Sequence, residues 1–116
     1  MNILFLILLI TIGGQNQKKI KHPDCIGVNR WPTSMAYAEL KNEGIVSSET
    51  IDFTKTQTIR IASEQIGNDL YHQVHLVTFT KINSEIIQVL TVSDASSEEC
   101  SLGAVDVYVI SKKLRK

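Results

Sequence analysis

Aromatic residues and prolines are scarce in this 116-residue chain, which holds three Phe, three Tyr, one Trp and two Pro. Six glycines and two prolines are too few for a collagen or a low-complexity chain. Twelve Lys and Arg balance twelve Asp and Glu, so no net basic charge favours a nucleic acid as partner. The length excludes a multidomain enzyme, and the apolar share of 43% is typical of one globular domain.

The motifs that would identify an enzyme or a metal site are also missing. The chain has no phosphate-binding loop, no dinucleotide fingerprint and no GxSxG nucleophile motif. His72 and His75 are three residues apart, a spacing that places them on opposite faces of a strand. The acidic segment 94–100 lacks the alternating oxygen ligands and the glycine of a calcium loop. We therefore expect no catalytic residue, no metal and no cofactor, and the chain is not predicted to be an enzyme.

The N-terminus carries the longest apolar run, Ile3–Ile12, which is ten residues without a charge. A membrane span needs about 20 apolar residues, whereas ten match the hydrophobic region of a secretory signal. Gly13 and Gly14 offer a cleavage site of small residues. The pattern predicts a cleaved signal peptide over 1–14, a periplasmic or secreted protein, and no transmembrane span after processing. The alternative is that this run forms a buried strand or helix of the fold.

The two cysteines, Cys25 and Cys100, are most simply explained as one disulfide bond in an exported chain. Two free buried thiols are one alternative, and a catalytic thiol is another, although no histidine is adjacent to either cysteine in the sequence. A bridge across so long a loop is expected to stabilise the fold by about 4 kcal/mol, because it restricts the unfolded chain.

The rest of the chain divides into an extended lead-in over 15–30, a single domain over 31–111 and a basic tail over 112–116. A helix is predicted from Thr33, as N-cap, to Glu43, with Gly44 as its stop. Period-two patterns and turn residues then predict four strands, over Gln57–Gln65, Leu70–Lys81, Glu85–Ser93 and Val105–Ser111. In the first strand, Ile59 and Ile61 are expected on one face, with Thr58, Arg60 and Ala62 on the other.

One N-terminal helix followed by four closely connected strands predicts an α+β domain, with the helix packed on a curved four-stranded antiparallel meander. The order of elements over Trp31–Ser111 resembles the cystatin-like architecture, in which a long curved sheet wraps around one helix. The inhibitory Gln-x-Val-x-Gly motif of that family is missing, since the comparable Gln73-Val74-His75 does not match it. The resemblance therefore concerns topology, and no functional residue is carried over from the family.

Charge is balanced in total but not along the chain. Between Pro23 and Ser111 there are five basic and twelve acidic residues, so the predicted domain carries a charge of about −7 (five minus twelve). Asp94, Glu98 and Glu99 concentrate next to the predicted disulfide, and they are our candidate partner-binding residues. The alternative is a solvated loop whose acids serve only solubility.

These features predict a small exported binding protein, an inhibitor or immunity-type protein that occludes a basic enzyme in the cell envelope. The alternative is a small-molecule-binding protein or enzyme that uses the concave face of the sheet. Its candidate polar groups would be Tyr71, His72, His75 and Tyr108. A third hypothesis is a structural envelope protein that forms a homodimer through the edge strand Val105–Ile110.

Overall fold

The structure is a computed structural model that describes residues 21–113, with side chains described as far as Ile110. The predicted signal peptide over 1–14, most of the lead-in before Lys21, and residues 114–116 of the predicted basic tail lie outside the described residues. The elements are α1 (Trp31–Asn42), a short 3-10 helix (Phe53–Lys55), β1 (Gln57–Gly67), β2 (Leu70–Thr80), β3 (Ile86–Ala95) and β4 (Leu102–Lys113).

The four strands form one antiparallel sheet in the order β1-β2-β3-β4, with α1 packed against it. The predicted α+β class and meander are confirmed. Short connections make sequential strands neighbours, as at the Asn68–Asp69 turn between β1 and β2. The strands begin and end within a few residues of the predicted bounds. Asp94, predicted to follow the third strand, lies inside β3, and β4 begins at Leu102 rather than at Val105.

The helix begins two residues before its predicted N-cap. Arg30 occupies the N-cap position without a side-chain cap, and proline stands in the first turn, where a missing N–H does no harm. The prediction that Thr33 caps the helix is wrong: its buried hydroxyl lies 2.6 Å from the Thr58 hydroxyl of β1. The predicted stop is confirmed, because Gly44 follows the helix with a φ of 74°, a conformation that favours glycine.

The two faces of the sheet differ in what lies against them, and we call them the covered face and the open face. Alternate residues of β2 from Tyr71 to Phe79 are buried on the covered face. Half of this face packs under α1 in an apolar core formed by Ala36, Leu40, Val46, Ile51, Val77, Phe79, Ile87 and Val89. The other half lies beyond the helix and carries the polar residues Gln73, His75, Thr91 and Ser93.

A β-bulge in β1 changes which residues share a face. Arg60 is opposite His75 and Ala62 is opposite Val74, so Ile61 is an extra residue without a partner on β2. One inserted residue reverses the faces of all residues beyond it. The prediction that Ala62 shares a face with Thr58 and Arg60 is therefore wrong, because Ala62 lies on the open face.

Candidate functional site

Three chain segments meet at one end of the sheet, and we call their assembly the rim. Strand direction alternates in a meander, so the β1–β2 turn (68–69) and the β3–β4 connection (96–101) lie at the same end. The third segment, residues 21–25, joins them from the N-terminal side through the disulfide between Cys25 and Cys100. The predicted disulfide is thereby confirmed.

A side chain of the first turn fastens the two connections to each other. The Asp69 carboxylate accepts hydrogen bonds from the backbone N–H of Ser97 (2.9 Å) and from the Ser97 hydroxyl (2.8 Å). Asp69 itself has a φ of 50°, a left-handed conformation that Asp tolerates in turns. Because these bonds use an ionised acceptor, they are stronger than bonds between neutral groups.

The β3–β4 connection is also ordered by its own hydrogen bonds. The backbone N–H of Ser96 donates to the Glu99 carbonyl at 2.8 Å, and the Ser96 hydroxyl accepts from the N–H of Glu99 at 3.1 Å. The Ser101 hydroxyl donates to the Glu99 carboxylate at 2.8 Å. Glu98 and Glu99 remain exposed, so a fixed backbone presents two carboxylates to solvent.

The N-terminal segment is attached to the polar half of the covered face. The Pro23 carbonyl accepts from Arg60 at 2.9 Å and from the Gln73 side-chain amide at 3.0 Å. His22 Nδ1 lies 2.6 Å from the Ser63 hydroxyl, and its ring stacks at a tilt on Tyr71. These contacts, together with the disulfide, hold residues 22–25 against β1 and β2.

A cavity of about 300 Å³ opens between the segments of the rim. Its lining mixes three carboxylates with two cations, and it consists of Lys21, His22, Pro23, Asp24, Arg30, Ser96, Ser97, Glu98, Glu99 and Cys100. This mixture of charges is suited to electrostatic recognition of a partner.

A second cavity, which we call the aromatic cleft, lies between the start of α1 and the 3-10 helix. It has a volume of about 420 Å³ and is lined by Val28, Asn29, Thr33, Ser34, Tyr37, Phe53, Thr54 and Phe79. Tyr37 packs edge-on against Phe53, with ring centroids 4.9 Å apart. None of the described residues that line it is charged, so the cleft is suited to an uncharged, apolar group.

His75 is fully buried on the covered face, where neither ring nitrogen has a hydrogen-bond partner among the described residues. Burial, helped by the positive charge of Arg60 and opposed by Asp24, lowers the pKa of His75 to about 4. The neutral ring is therefore strongly preferred in the folded protein. This histidine is inaccessible, so the structure places it within the core rather than at a binding surface.

The predicted site residues lie in three places. Glu98 and Glu99 are on the rim, whereas Asp94 lies within β3 on the open face, 2.6 Å from His72 Nδ1. Tyr71 and His75 are buried on the covered face, and Tyr108 lies on the open face beside Leu90. The four candidate ligand groups are thus divided between the two faces and do not converge on one site.

Sequence reasoning missed Asp69, a member of the rim, and Arg30, which lines the cavity between its segments. The signal for Asp69 was present, because the meander places its turn at the same end as the acidic connection. Arg30 could not be found in this way, since its position depends on how the 27–30 turn packs beside the disulfide.

Within residues 21–113, no three His, Cys, Asp or Glu side chains are arranged to hold a metal ion. Neither helix in this part of the chain has the length and apolar character needed to cross a membrane. Comparisons of the chain with protein-family models, with curated proteins and with solved structures found no match.

Proposed function

We propose that the protein is a small exported binding protein, an inhibitor or immunity-type protein that occludes an enzyme of the cell envelope with its rim. One observation carries the proposal: three segments far apart in the sequence are fastened into a single exposed edge by a disulfide and by the Asp69–Ser97 bonds. A pre-ordered edge loses little conformational entropy when it binds, which favours tight association.

Electrostatics supports a basic partner. Glu98, Glu99 and Asp69 are exposed at the rim, and the domain between residues 23 and 111 is strongly acidic. Complementary charge raises association rates and disfavours wrong partners. Such an edge would recognise a basic surface around the catalytic cleft of an enzyme.

The aromatic cleft offers a place for an apolar anchor from the same partner. Asn29 lines both this cleft and a shallow cavity beside Glu98 and Glu99, so the two regions are separated only by the 27–30 turn. Buried aromatic anchors dominate the energy of many interfaces. The rim would then steer the partner, and the cleft would bind one of its apolar side chains.

Export is supported by the disulfide and by the apolar run over residues 3–12. Disulfides persist in oxidising compartments such as the periplasm and the extracellular space. The order of one helix and four strands is also consistent with the cystatin-like architecture that the sequence resembles. A small-molecule site built from Tyr71, His72, His75 and Tyr108 has less support, because these residues lie on opposite faces of the sheet.

The test is affinity capture from an envelope extract of the source organism, with the mature chain from Gln15 as bait. The rim variant is Glu98→Gln with Glu99→Gln. The matched control is Glu39→Gln with Glu43→Gln, which removes the same charge from exposed positions of α1 and its C-terminus. The captured enzyme is then purified, and its affinity and activity are measured with each protein.

We expect the wild type and the control to inhibit the captured enzyme equally. The rim variant should bind at least about tenfold more weakly, mainly through slower association, and the difference should shrink at high salt. Equal inhibition by all three proteins would show that the rim is not the contact surface. An enzyme that binds without losing activity would contradict occlusion.

A further inference from the structure

Two adjacent rows of mainly apolar side chains cross the open face. In one row Leu76 and Leu90 stand in register between Ile59 and Tyr108. In the other row Val74 and Val92 follow Ala62, and the exposed Asp106 of β4 ends the row. We call the seven residues other than Asp106 the apolar stripe. Because the rows are in register, the stripe is continuous across β1, β2 and β3, and it reaches β4 at Tyr108.

No element of the described chain lies over this stripe. The helix, the 3-10 helix and residues 22–25 all pack on the covered face or at its edge. Ile59 and Tyr108 are each 56% exposed at the two sides of the stripe. A continuous apolar surface of this kind on a small protein marks an interaction site.

Polar residues border the stripe at both ends. At the end near the rim, His72 pairs with Asp94, and Glu64 stands beside them. At the opposite end, the Gln88 side-chain amide donates to the Thr78 hydroxyl at 3.2 Å. One border is therefore charged and the other is neutral. An apolar centre with a polar border is typical of protein interfaces.

We propose that the open face is the interface of a homodimer, in which the apolar stripes of two copies pack against each other. Four strands spaced about 4.8 Å apart and about ten residues long, at about 3.3 Å per residue, give a face of about 600 Å². Two such faces bury about 1,200 Å² together, which reaches the range of specific, stable interfaces. The area is thus sufficient for a dimer without any further contact.

The order of the rows defines how the copies are related. A two-fold axis parallel to the sheet and perpendicular to the strands, passing between the two rows, places Val74 of one copy on Leu76 of the other. The same axis places Val92 on Leu90, Asp106 on Tyr108, and the charged border of each copy on the neutral border of the other. An axis along the strands would instead bring the two charged borders together, with Glu64 and Asp94 of both copies at one end.

This dimer is independent of the proposed function. The rim lies at the end of the sheet, and the aromatic cleft lies on the side of the helix, so both stay accessible when two open faces pack. Packing through faces also differs from pairing through the edge strand β4, because it leaves the backbone hydrogen-bonding groups of that edge free.

The test is sedimentation velocity of the mature chain between about 1 and 200 μM, with Leu90→Lys as the interface variant. Ile82→Lys is the matched control: it adds the same charge at a position that is 69% exposed in the β2–β3 turn. We expect a dimer for the wild type and the control, and at least about 100-fold weaker dimerisation for Leu90→Lys. If that variant does not fold by circular dichroism, Tyr108→Lys replaces it at the exposed margin of the stripe.

A mixing experiment tests the axis itself. Val74→Lys and Leu76→Glu should each disrupt the homodimer, whereas an equimolar mixture should form a heterodimer, because the axis brings these two positions together. A monomeric wild type at 200 μM would overturn the proposal. A dimer that survives Leu90→Lys or Tyr108→Lys would also overturn it and would place the interface elsewhere, with β4 as the next candidate. Failure of the mixture to associate would exclude the proposed axis.

Discussion

At the scale of single residues, the polar half of the covered face stands out, because it buries polar atoms that lack partners. Gln73 Oε1, both ring nitrogens of His75 and Thr91 Oγ1 have no hydrogen-bond partner among the described residues. Thr91 lies directly opposite His75 in the pairing of β2 with β3. Unpaired buried groups weaken a fold, and a buried histidine without an acceptor can be held only in its neutral form.

The pKa of His75, lowered to about 4, predicts a specific loss of stability in acid. Above pH 6.5 the ring is neutral in both the folded and the unfolded state, so its titration changes nothing. Between pH 6.5 and pH 4 the unfolded chain binds a proton that the folded chain does not, and the free energy of unfolding falls. The full loss is up to about 3 kcal/mol, since each pKa unit corresponds to about 1.4 kcal/mol.

Urea unfolding at pH 7.5 and pH 4.5 measures this loss. The variant His75→Gln should lose less stability between these two pH values than the wild type, because it lacks the ring that only the unfolded chain protonates. An identical pH dependence in wild type and His75→Gln would show that the buried ring does not control acid stability.

At the scale of the elements, the two ends of α1 are determined by different interactions, one local and the other tertiary. The C-terminal end is set locally: the N–H of Glu43 donates to Glu39, and Gly44 then turns the chain in a left-handed conformation. The N-terminal end is set by packing, because the Thr33 hydroxyl contacts Thr58 instead of capping its own helix. The helix is thereby linked to β1 at the point where the sheet begins.

Replacing Gly44 tests the local part of this description. Among the described residues, no atom beyond the chain neighbours of Gly44 lies within 4 Å of a Cβ built there. Gly44→Ala should therefore lower the free energy of unfolding only through its φ of 74°, by about 1 kcal/mol. Gly67→Ala is the matched control, since Gly67 lacks a positive φ and a Cβ there makes ordinary contacts. Chemical denaturation should show the loss for the first variant only; similar midpoints for both would contradict a role of backbone conformation.

At the scale of the whole molecule, one covalent bond joins the start of the described chain to the β3–β4 connection. Cys25 and Cys100 are 75 residues apart, and their bond closes a loop that contains the helix and the first three strands. The same bond holds residues 21–25 against the other two segments of the rim. Stability and the proposed binding edge therefore depend on one element of the structure.

Removing both cysteines, as Cys25→Ala with Cys100→Ala, should lower the free energy of unfolding by about 4 kcal/mol, because the unfolded chain regains the entropy that the loop had lost. Thermal and urea unfolding measure the change, and the wild type under reducing conditions provides the comparison. If the variant remains folded, its binding to the captured enzyme should also weaken, since the N-terminal segment is released from the rim. Unchanged stability would contradict the loop-entropy explanation.

The sequence alone determined the features that depend on local pattern. Period-two alternation identified β2 and β3 and correctly separated His72 from His75, because side chains of a strand point alternately to its two faces. Turn residues and short connections were enough to predict the meander, and the cysteine count was enough to predict the disulfide. The strand and turn inferences require only residues that are neighbours in the sequence. The disulfide inference requires only that two cysteines can pair in a single way.

The tertiary structure alone decided which distant groups meet. The unpaired Ile61 shifts the faces of β1, and this shift brings Ser63 to the covered face, where it contacts His22 and Gln73. The rim also depends on tertiary structure, because its Asp69–Ser97 bonds join residues 28 positions apart. Such contacts depend on register and on how turns pack, which are properties of the assembled sheet and leave no periodic signal in the chain.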